Sequence, residues 1–387
     1  MEVYLDNAAT TKVSESVQQV MIKAMNVDYG NPSSMHKKGF ESEQQIKKAK
    51  KELCSLLKCK DKNIIFTSGG TESNNISILG TALANKRKGK HIITSSVEHP
   101  SVTQPLIFLE KQGFEITYLP VDTMGKVSTE NLKKALRNDT ILVSIMYVNN
   151  EIGSVNEIAS LSKVVKNFDE KIVFHVDAIQ AFGKYNIIPK KSGIDLMSVS
   201  AHKFHGPKGI GLLYIEDGVK ISPILFGGGQ QNNMRSGTEN VPGMIGLSKA
   251  ACECYQNLDE KIDRIYDLKK FFIKELKKVE QAVVNAFHYD DLYQSAPHIV
   301  SVGFTGVKSE VLLHALEDKG IYISSGSACA TKHPGISSTL LAIGVKEELL
   351  DSTIRFSFSV DTTKEEIEYT IEQLAMLVPF FARFQKR

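Results

Sequence analysis

No run of apolar residues in this 387-residue chain approaches the ~20 needed to span a bilayer. The first residues, Met1-Glu2-Val3-Tyr4-Leu5-Asp6, show neither a basic segment nor an apolar signal core. Charge of one sign is also lacking. The 47 Lys+Arg against 44 Asp+Glu leave a formal net charge of +3, which gives no nucleic-acid or membrane signature. Lysine runs such as Lys47-Lys48-Ala49-Lys50-Lys51 have helical spacing beside apolar neighbours and read as solvated helix faces. Cysteine is scarce: five residues, an odd count without framework spacing, argue against a disulfide scaffold and for a reducing compartment. Cys252-x-Cys254 is too close and too isolated for a zinc site, and no metal is expected. Fixed-period repeats and low-complexity segments are absent. These absences leave a cytoplasmic globular protein, long enough for one large core and one smaller core.

What is present is alternation. Short apolar runs, rich in Ile and Val, recur at Ile64 to Phe66, His91 to Ile93, Phe114 to Leu119, Ile141 to Tyr147, Lys171 to Val176, Leu196 to Val199 and Gly211 to Ile215. Most are separated by segments of helical period, which predicts an α/β fold with a mostly parallel sheet covered on both faces. In such sheets ligands sit beyond the carboxyl ends of the strands. The polar clusters fall there: Ser68-Gly69-Gly70-Thr71, Glu98-His99, Asn149-Asn150-Glu151 and Asp177 to Gln180. After about residue 258 the texture changes. An amphipathic helix (Leu258 to Val279) leads to strands near His298 to Phe304, Ile321 to Ser324 and Ile354 to Val360. A closing helix is expected to start at Thr362, with Thr362-x-x-Glu365 as a capping box. The expected division is a large cofactor-binding domain over 1–257 and a smaller C-terminal α+β domain over 258–387, with residues 1–15 packing on the smaller one.

Each polar cluster suggests chemistry and has a plainer competing reading. Lys203, in Ser200-Ala201-His202-Lys203-Phe204-His205-Gly206, lies on a loop between two apolar runs. That placement suits an amine holding a carbonyl cofactor as a Schiff base, although most lysines are simply solvated. Asp177 ends the apolar run Ile172 to Val176 and, if buried, needs a cation such as a pyridinium nitrogen; a helix N-cap is the alternative. Ser68 to Asn75 follows a strand and opens a helix, so its free amides and the Thr71 hydroxyl could hold a phosphate, or merely cap a turn. His99 could stack on a cofactor ring or be structural. Arg355 suits bidentate recognition of a carboxylate, or a surface salt bridge. Arg235 to Asn240 follows Gly227-Gly228-Gly229 and reads as a flexible loop able to reach a phosphate, including a neighbouring subunit's. Cys329, in Ser324-Ser325-Gly326-Ser327-Ala328-Cys329, has small neighbours and a following Pro334-Gly335 turn, unlike Cys54 in its core-like segment. An exposed, reactive thiol is expected.

Taken together and in order, the motifs Tyr4-Leu5-Asp6-Asn7-Ala8-Ala9-Thr10-Thr11, Gly30 to Ser34, Phe66 to Ser73, Val148 to Gly153, His175 to Gln180, Ser200 to Lys203, Met234 to Thr238 and Ser324 to Cys329 resemble those of cysteine desulfurases. These are pyridoxal-phosphate enzymes of the class V aminotransferase type, with the type I transferase fold. The likeness runs from about residue 4 to about residue 375, and Arg235 to Pro242 is most similar to the nitrogen-fixation branch.

The resemblance implies roles. Lys203, Cys329 and His99 would be catalytic: Lys203 carries the cofactor and moves protons, His99 stacks on the ring, and Cys329 attacks the substrate sulfur. Asp177 and Gln180 would bind the ring nitrogen and phenolic oxygen. Gly70, Thr71, Ser200 and His202 would hold the phosphate, joined by Thr238 from the second subunit of a homodimer. Asn150 and Arg355 would bind the substrate carboxylate. The implied reaction converts L-cysteine to L-alanine and leaves a persulfide for a sulfur-acceptor protein in iron–sulfur cluster assembly or tRNA thiolation. Selenocysteine lyase and class V aminotransferase are the alternative activities, and a catalytically silent scaffold the non-enzymatic one. Two stretches depart from the housekeeping branch: Ala330-Thr331-Lys332-His333-Pro334-Gly335 after Cys329, and the short end from Phe380 to Arg387. Both bear on the identity of the acceptor.

Overall fold

The apolar runs become strands in the computed structural model, which describes residues 1–287, 292–325 and 336–383. In chain order the strands are β1 (Val3–Tyr4), β2 (Ile64–Thr67), β3 (His91–Ser95), β4 (Glu115–Leu119), β5 (Thr140–Met146), β6 (Val173–Asp177) and β7 (Leu196–Ser200). They continue with β8 (Gly211–Ile215), β9 (Ala282–Val284), β10 (Ile299–Phe304), β11 (Ile321–Tyr322), β12 (Ser324–Ser325) and β13 (Thr353–Ser357). The first helices are α1 (Glu15–Asn26), α2 (Lys37–Leu57), α3 (Gly70–Asn85), α4 (Pro100–Lys111), α5 (Thr129–Ala135) and α6 (Ile158–Phe168). The rest are α7 (Val241–Tyr255), α8 (Leu258–Leu276), α9 (Ser309–Glu317), α10 (Ser338–Ala342), α11 (Glu347–Leu350) and α12 (Lys364–Ala382).

A seven-stranded sheet in the order β2-β8-β7-β6-β5-β3-β4 forms the larger layer. Strands β5, β6 and β7 are buried at every position, as central strands covered on both faces must be. Their alternate residues enter separate cores. Val143, Phe174 and Val176 join one cluster, while Leu142 and Val173 join the other. Strand β8 is the exception to the parallel arrangement and runs antiparallel to both β7 and β2. The reason is local: only residues 201–210 link β7 to β8, too few for a parallel crossover. That short link carries Lys203.

A second sheet, β12-β13-β10-β9, is antiparallel and shares its core with α8 and α12. Val3 and Leu5 belong to this same core, and β1 pairs in parallel with β11 through Val3↔Ile321 and Tyr4↔Tyr322. The expected strand Ile321 to Ser324 is therefore two short ones, because Tyr322 pairs with β1 whereas Ser324 pairs with Arg355 of β13. Helix α8 stops at Leu276, short of Val279, whose amide bonds back to the Leu276 carbonyl in a turn. The capping box also lies one residue later than expected. Thr363 and Glu366 exchange the two bonds, at 3.2 and 2.8 Å, because the Thr362 hydroxyl is occupied by the Ser359 amide.

Cys54 is buried on α2, and the Cys254 thiol donates to the Ala251 carbonyl on α7. Among the described residues no helix is long and apolar enough to cross a membrane, and no group of His, Cys, Asp and Glu could hold a metal ion. The cap of α12 is directly testable. Thr363→Ala should cost about 1 kcal/mol in urea unfolding, and Thr363→Ser nearly nothing; equal stability of the alanine variant and the wild type would contradict the assigned box.

Candidate active site

Strands β5, β6 and β7 end side by side, with Met146 opposite Asp177 and Asp177 opposite Ser198. Beyond those ends lies a cavity of about 670 Å³. Its lining brings together Gly70, Thr71, His99, Asn150, Asp177, Gln180, Ser200, His202, Lys203 and Arg355.

The turn after β7 aims Lys203 at the N-terminal segment, where its Nζ donates to the carbonyls of Ala8 and Ala9, both at 2.7 Å. Burial, reinforced by the cations of Arg355 and Lys184, lowers its pKa to about 8. A lysine in that condition has a substantial neutral, nucleophilic fraction near neutral pH. Asp177 is only 4% exposed at the end of an apolar strand. Its Oδ1 accepts the Ile179 amide at 3.0 Å and its Oδ2 the Asn74 side-chain amide at 2.8 Å. Burial still pushes the carboxyl upward, and among the described residues no lysine or arginine forms an ion pair with it. The N-cap reading was partly apt, since the carboxylate does cap a turn, but no helix follows.

Asn74 also donates to the Ser101 hydroxyl at 2.9 Å, which lies 2.8 Å from His99 Nδ1. That nitrogen accepts the Ser101 amide as well, at 3.1 Å, so a neutral ring carries its proton on Nε2. Burial favours this neutral state. His99 is thus both the cap of α4 and a wall of the cavity.

Helix α3 begins at the same edge. Gly69, at φ 151° and ψ −173°, occupies a region open essentially only to glycine, and no side chain caps the helix. A Cβ on Gly70 would lie 2.1 Å from Ile179 Cδ1. The bare amides of this helix start, with Thr71, Ser200 and His202 around them, form a cradle for an anion. Burial and neighbouring lysines lower His202 to about 4, so it enters the cradle neutral. Arg235 does not reach this cavity within its own chain: it donates to both oxygens of Glu72, at 2.7 and 3.3 Å. Thr238 does not line it either.

The opposite wall comes from the second sheet. Arg355 is 7% exposed, which excludes the surface salt bridge. Its Nη1 donates to the Asn150 carbonyl at 2.8 Å, its Nη2 to Asp6 at 2.7 Å, and its buried Nε has no partner among the described residues. Asn149 is structural, with its amide bonded to Val97, Glu151 and Ile152 backbone groups. Sequence reasoning gave Asp6 and Asn74 no role of their own, and Glu98 and Glu151 only a place in the polar clusters beyond the strand ends. Each sits inside or next to a motif, but the long-range contacts that give them their significance have no signature in a single side chain's identity. Cys329 lies outside the described residues; Ser325 and Ile336, on either side of its segment, both line the cavity.

The aminotransferase class-V family model matches residues 3–370. The cysteine desulfurase IscS of Dictyoglomus turgidum is 46% identical over 378 residues, 97% of this chain and 94% of that protein. Among solved structures, a NifS-like protein superposes with a TM-score of 0.92 at 35% identity, covering 98% of this chain and all of that one. SspA in complex with cysteine superposes with a TM-score of 0.78 at 32% identity, covering 93% of this chain and 100% of that one.

Glu98 provides a test of the site's electrostatics. Its Oε1 accepts from Ser95 and Met146 N, its Oε2 has no partner among the described residues, and burial raises its pKa to about 8. The folded state therefore keeps a proton that the unfolded chain releases above its ordinary carboxylate range. The resulting stabilisation is complete at acid pH and is lost as pH rises toward 8, by about 1.4 kcal/mol per pH unit. Urea unfolding should show Glu98→Gln gaining on the wild type between pH 6 and pH 8; parallel profiles would contradict the assignment.

Proposed function

We propose that this chain, which belongs to the aminotransferase class-V family, is a pyridoxal-phosphate-dependent cysteine desulfurase that converts L-cysteine to L-alanine. The observation that carries the reading is the convergence of three groups on one cavity: a partly neutral lysine, a buried carboxylate without an ion-pair partner, and a buried guanidinium. Class V aminotransferases and cysteine desulfurases use pyridoxal phosphate, and the donor set here fits its parts. The cradle at α3 suits the phosphate, Asp177 a protonated ring nitrogen, Lys203 the aldehyde, and the Gln180 amide the ring hydroxyl beside it. The bare helix start, where Gly70 leaves no room for a Cβ, is the strongest sign of fit.

Bound there, pyridoxal phosphate supplies a cationic ring that accepts the electron pair released at the substrate α-carbon. Asp177 would keep the ring nitrogen protonated, and His99 would stack on the ring. Arg355, with Asn150 beside it, holds the substrate carboxylate, and its Nε, without a partner among the described residues, is a further donor in that region. Lys203, neutral in part near pH 8, removes the α-proton and returns protons to the product. The Cys329 thiolate bonds to the substrate sulfur while the C–S bond breaks with its electron pair passing to the organic fragment, which is protonated to alanine. The sulfur then rests on Cys329 as a persulfide for an acceptor protein of iron–sulfur cluster assembly or tRNA thiolation. The flanking residues Ser325 and Ile336 in the cavity wall support a role for this segment at the site.

In the same reading residues 1–257 form the cofactor-holding domain and 258–387 the smaller one, with residues 1–15 packed on the latter. The β1–β11 pairing supports this division. A two-fold homodimer completes each cradle with Thr238 of the partner subunit. Its support is that Thr238 does not reach the cavity of its own chain and that the same loop leaves Phe226 82% exposed. The enzyme acts in the cytoplasm, without direct contact to nucleic acid or membrane.

Cys329→Ser separates the two halves of the chemistry. A serine hydroxyl is barely ionised at neutral pH, so the variant should remain yellow and respond spectrally to cysteine, while alanine and sulfide fall below ~1% of the wild-type rate. Wild-type alanine production would favour an aminotransferase or a lyase that needs no thiol. Lys203→Ala should lose both the visible band and turnover; retention of both would move the assignment to another lysine.

A further inference from the structure

His298 does not line the cavity of the candidate active site, yet it is bonded to a residue that does. It immediately precedes β10, is 2% exposed, and its carbonyl accepts the Phe358 amide at 2.9 Å. Its Nε2 lies 3.2 Å from Gln180 Oε1. The Gln180 Nε2 donates to the Ala8 carbonyl at 2.8 Å, and that same carbonyl accepts Lys203 Nζ at 2.7 Å. The chain of contacts thus runs from the second sheet, through one amide, to the neighbour of the reactive amine.

An amide side chain can face either way, and its partners decide which. A carbonyl can only accept, so the Gln180 NH2 must face Ala8. Its oxygen then faces His298, which must donate. That donation requires a proton on Nε2, and burial beside Lys184, Lys269, Arg355 and Lys203 favours the neutral ring over the imidazolium. The other nitrogen, Nδ1, is buried with no partner among the described residues. A histidine that served packing alone would be a poor choice for this position, since an unsatisfied buried nitrogen costs free energy that an apolar side chain avoids.

We infer that His298 is a positioning residue for the active site: its Nε2–H holds the Gln180 amide so that the NH2, not the oxygen, faces Ala8 and Lys203. A reversed amide would place an oxygen against the Ala8 carbonyl and withdraw the donor next to the lysine. Because His298 leads directly into β10 of the second sheet and Gln180 follows β6, the bond also ties the amide's orientation to the placement of the second sheet on the first. The consequence for pyridoxal phosphate rests on the function proposed above, whereas the orientation of the amide does not.

Two measurements decide it. Histidine-selective ¹⁵N NMR of the full chain should show His298 protonated on Nε2; an Nδ1–H tautomer, with Nε2 bare, overturns the inference. Variants then read the effect on the cofactor. His298→Leu should weaken pyridoxal phosphate binding about tenfold and move the visible band, the loss of one positioned hydrogen bond. His298→Gln, whose amide N–H can stand near the former Nε2–H, should restore both, with melting temperatures confirming that each variant folds. Gln180→Leu should weaken binding at least as much, and His298→Leu should add nothing to it. An unaltered band and affinity in His298→Leu, or additive effects in the double variant, overturn the inference. If the wild type takes up no pyridoxal phosphate, the functional reading fails, and the tautomer still decides the orientation of Gln180.

Discussion

A carboxylate at the inner end of a fully buried strand is expensive unless a cation meets it. Asp177 is in that position, and two amide donors, from Asn74 and Ile179, are its only hydrogen bonds among the described residues. The surroundings look arranged for a charged partner rather than for stability alone. Asn74 is held in turn by Ser101, and Ser101 fixes the tautomer of His99. One buried charge thereby organises the floor of the cavity and one of its walls.

The other constraint is that the site is assembled from distant parts of the chain. The carbonyl of Ala8 accepts from Lys203 and from Gln180, and Asp6, two residues earlier, accepts from Arg355. The N-terminal segment therefore touches the groups assigned to cofactor and to substrate, while β1 anchors it in the second sheet. Arg355 in β13 and Asn150 beyond β5 meet across the same junction. A displacement of one sheet against the other would disturb amine, amide and guanidinium together, so rigidity at this junction maintains the geometry of all three.

Much of this was legible in the residues. Continuous apolar runs marked β5, β6 and β7 because strands covered on both faces need no polar alternation. The Gly69-Gly70 pair marked the start of α3, since its backbone conformation and close packing admit little else. Other features were not legible. The reversal of β8 follows from a link length, not from composition. The capping box moved from Thr362 to Thr363 because two adjacent threonines offer the same chemistry, and only the turn at Ser359 distinguishes them. Arg355 could be read as exposed or buried until its pairing with Asp6, 349 positions away, was seen. Arg235 looked free for a phosphate, and its pairing with Glu72 likewise depends on long-range folding. The motif around Cys329 was clear in sequence, and its part from Gly326 onward lies outside the described residues.

The central claim is that Lys203 is the amine that carries the cofactor in this cavity. Borohydride treatment of the purified yellow protein, followed by peptide mass spectrometry, tests it most directly, because reduction makes the linkage between lysine and cofactor permanent. The account predicts a phosphopyridoxyl group on the peptide containing Lys203 and on no other lysine. Its appearance on Lys184 or Lys208 instead, or its absence from every peptide, would contradict the account.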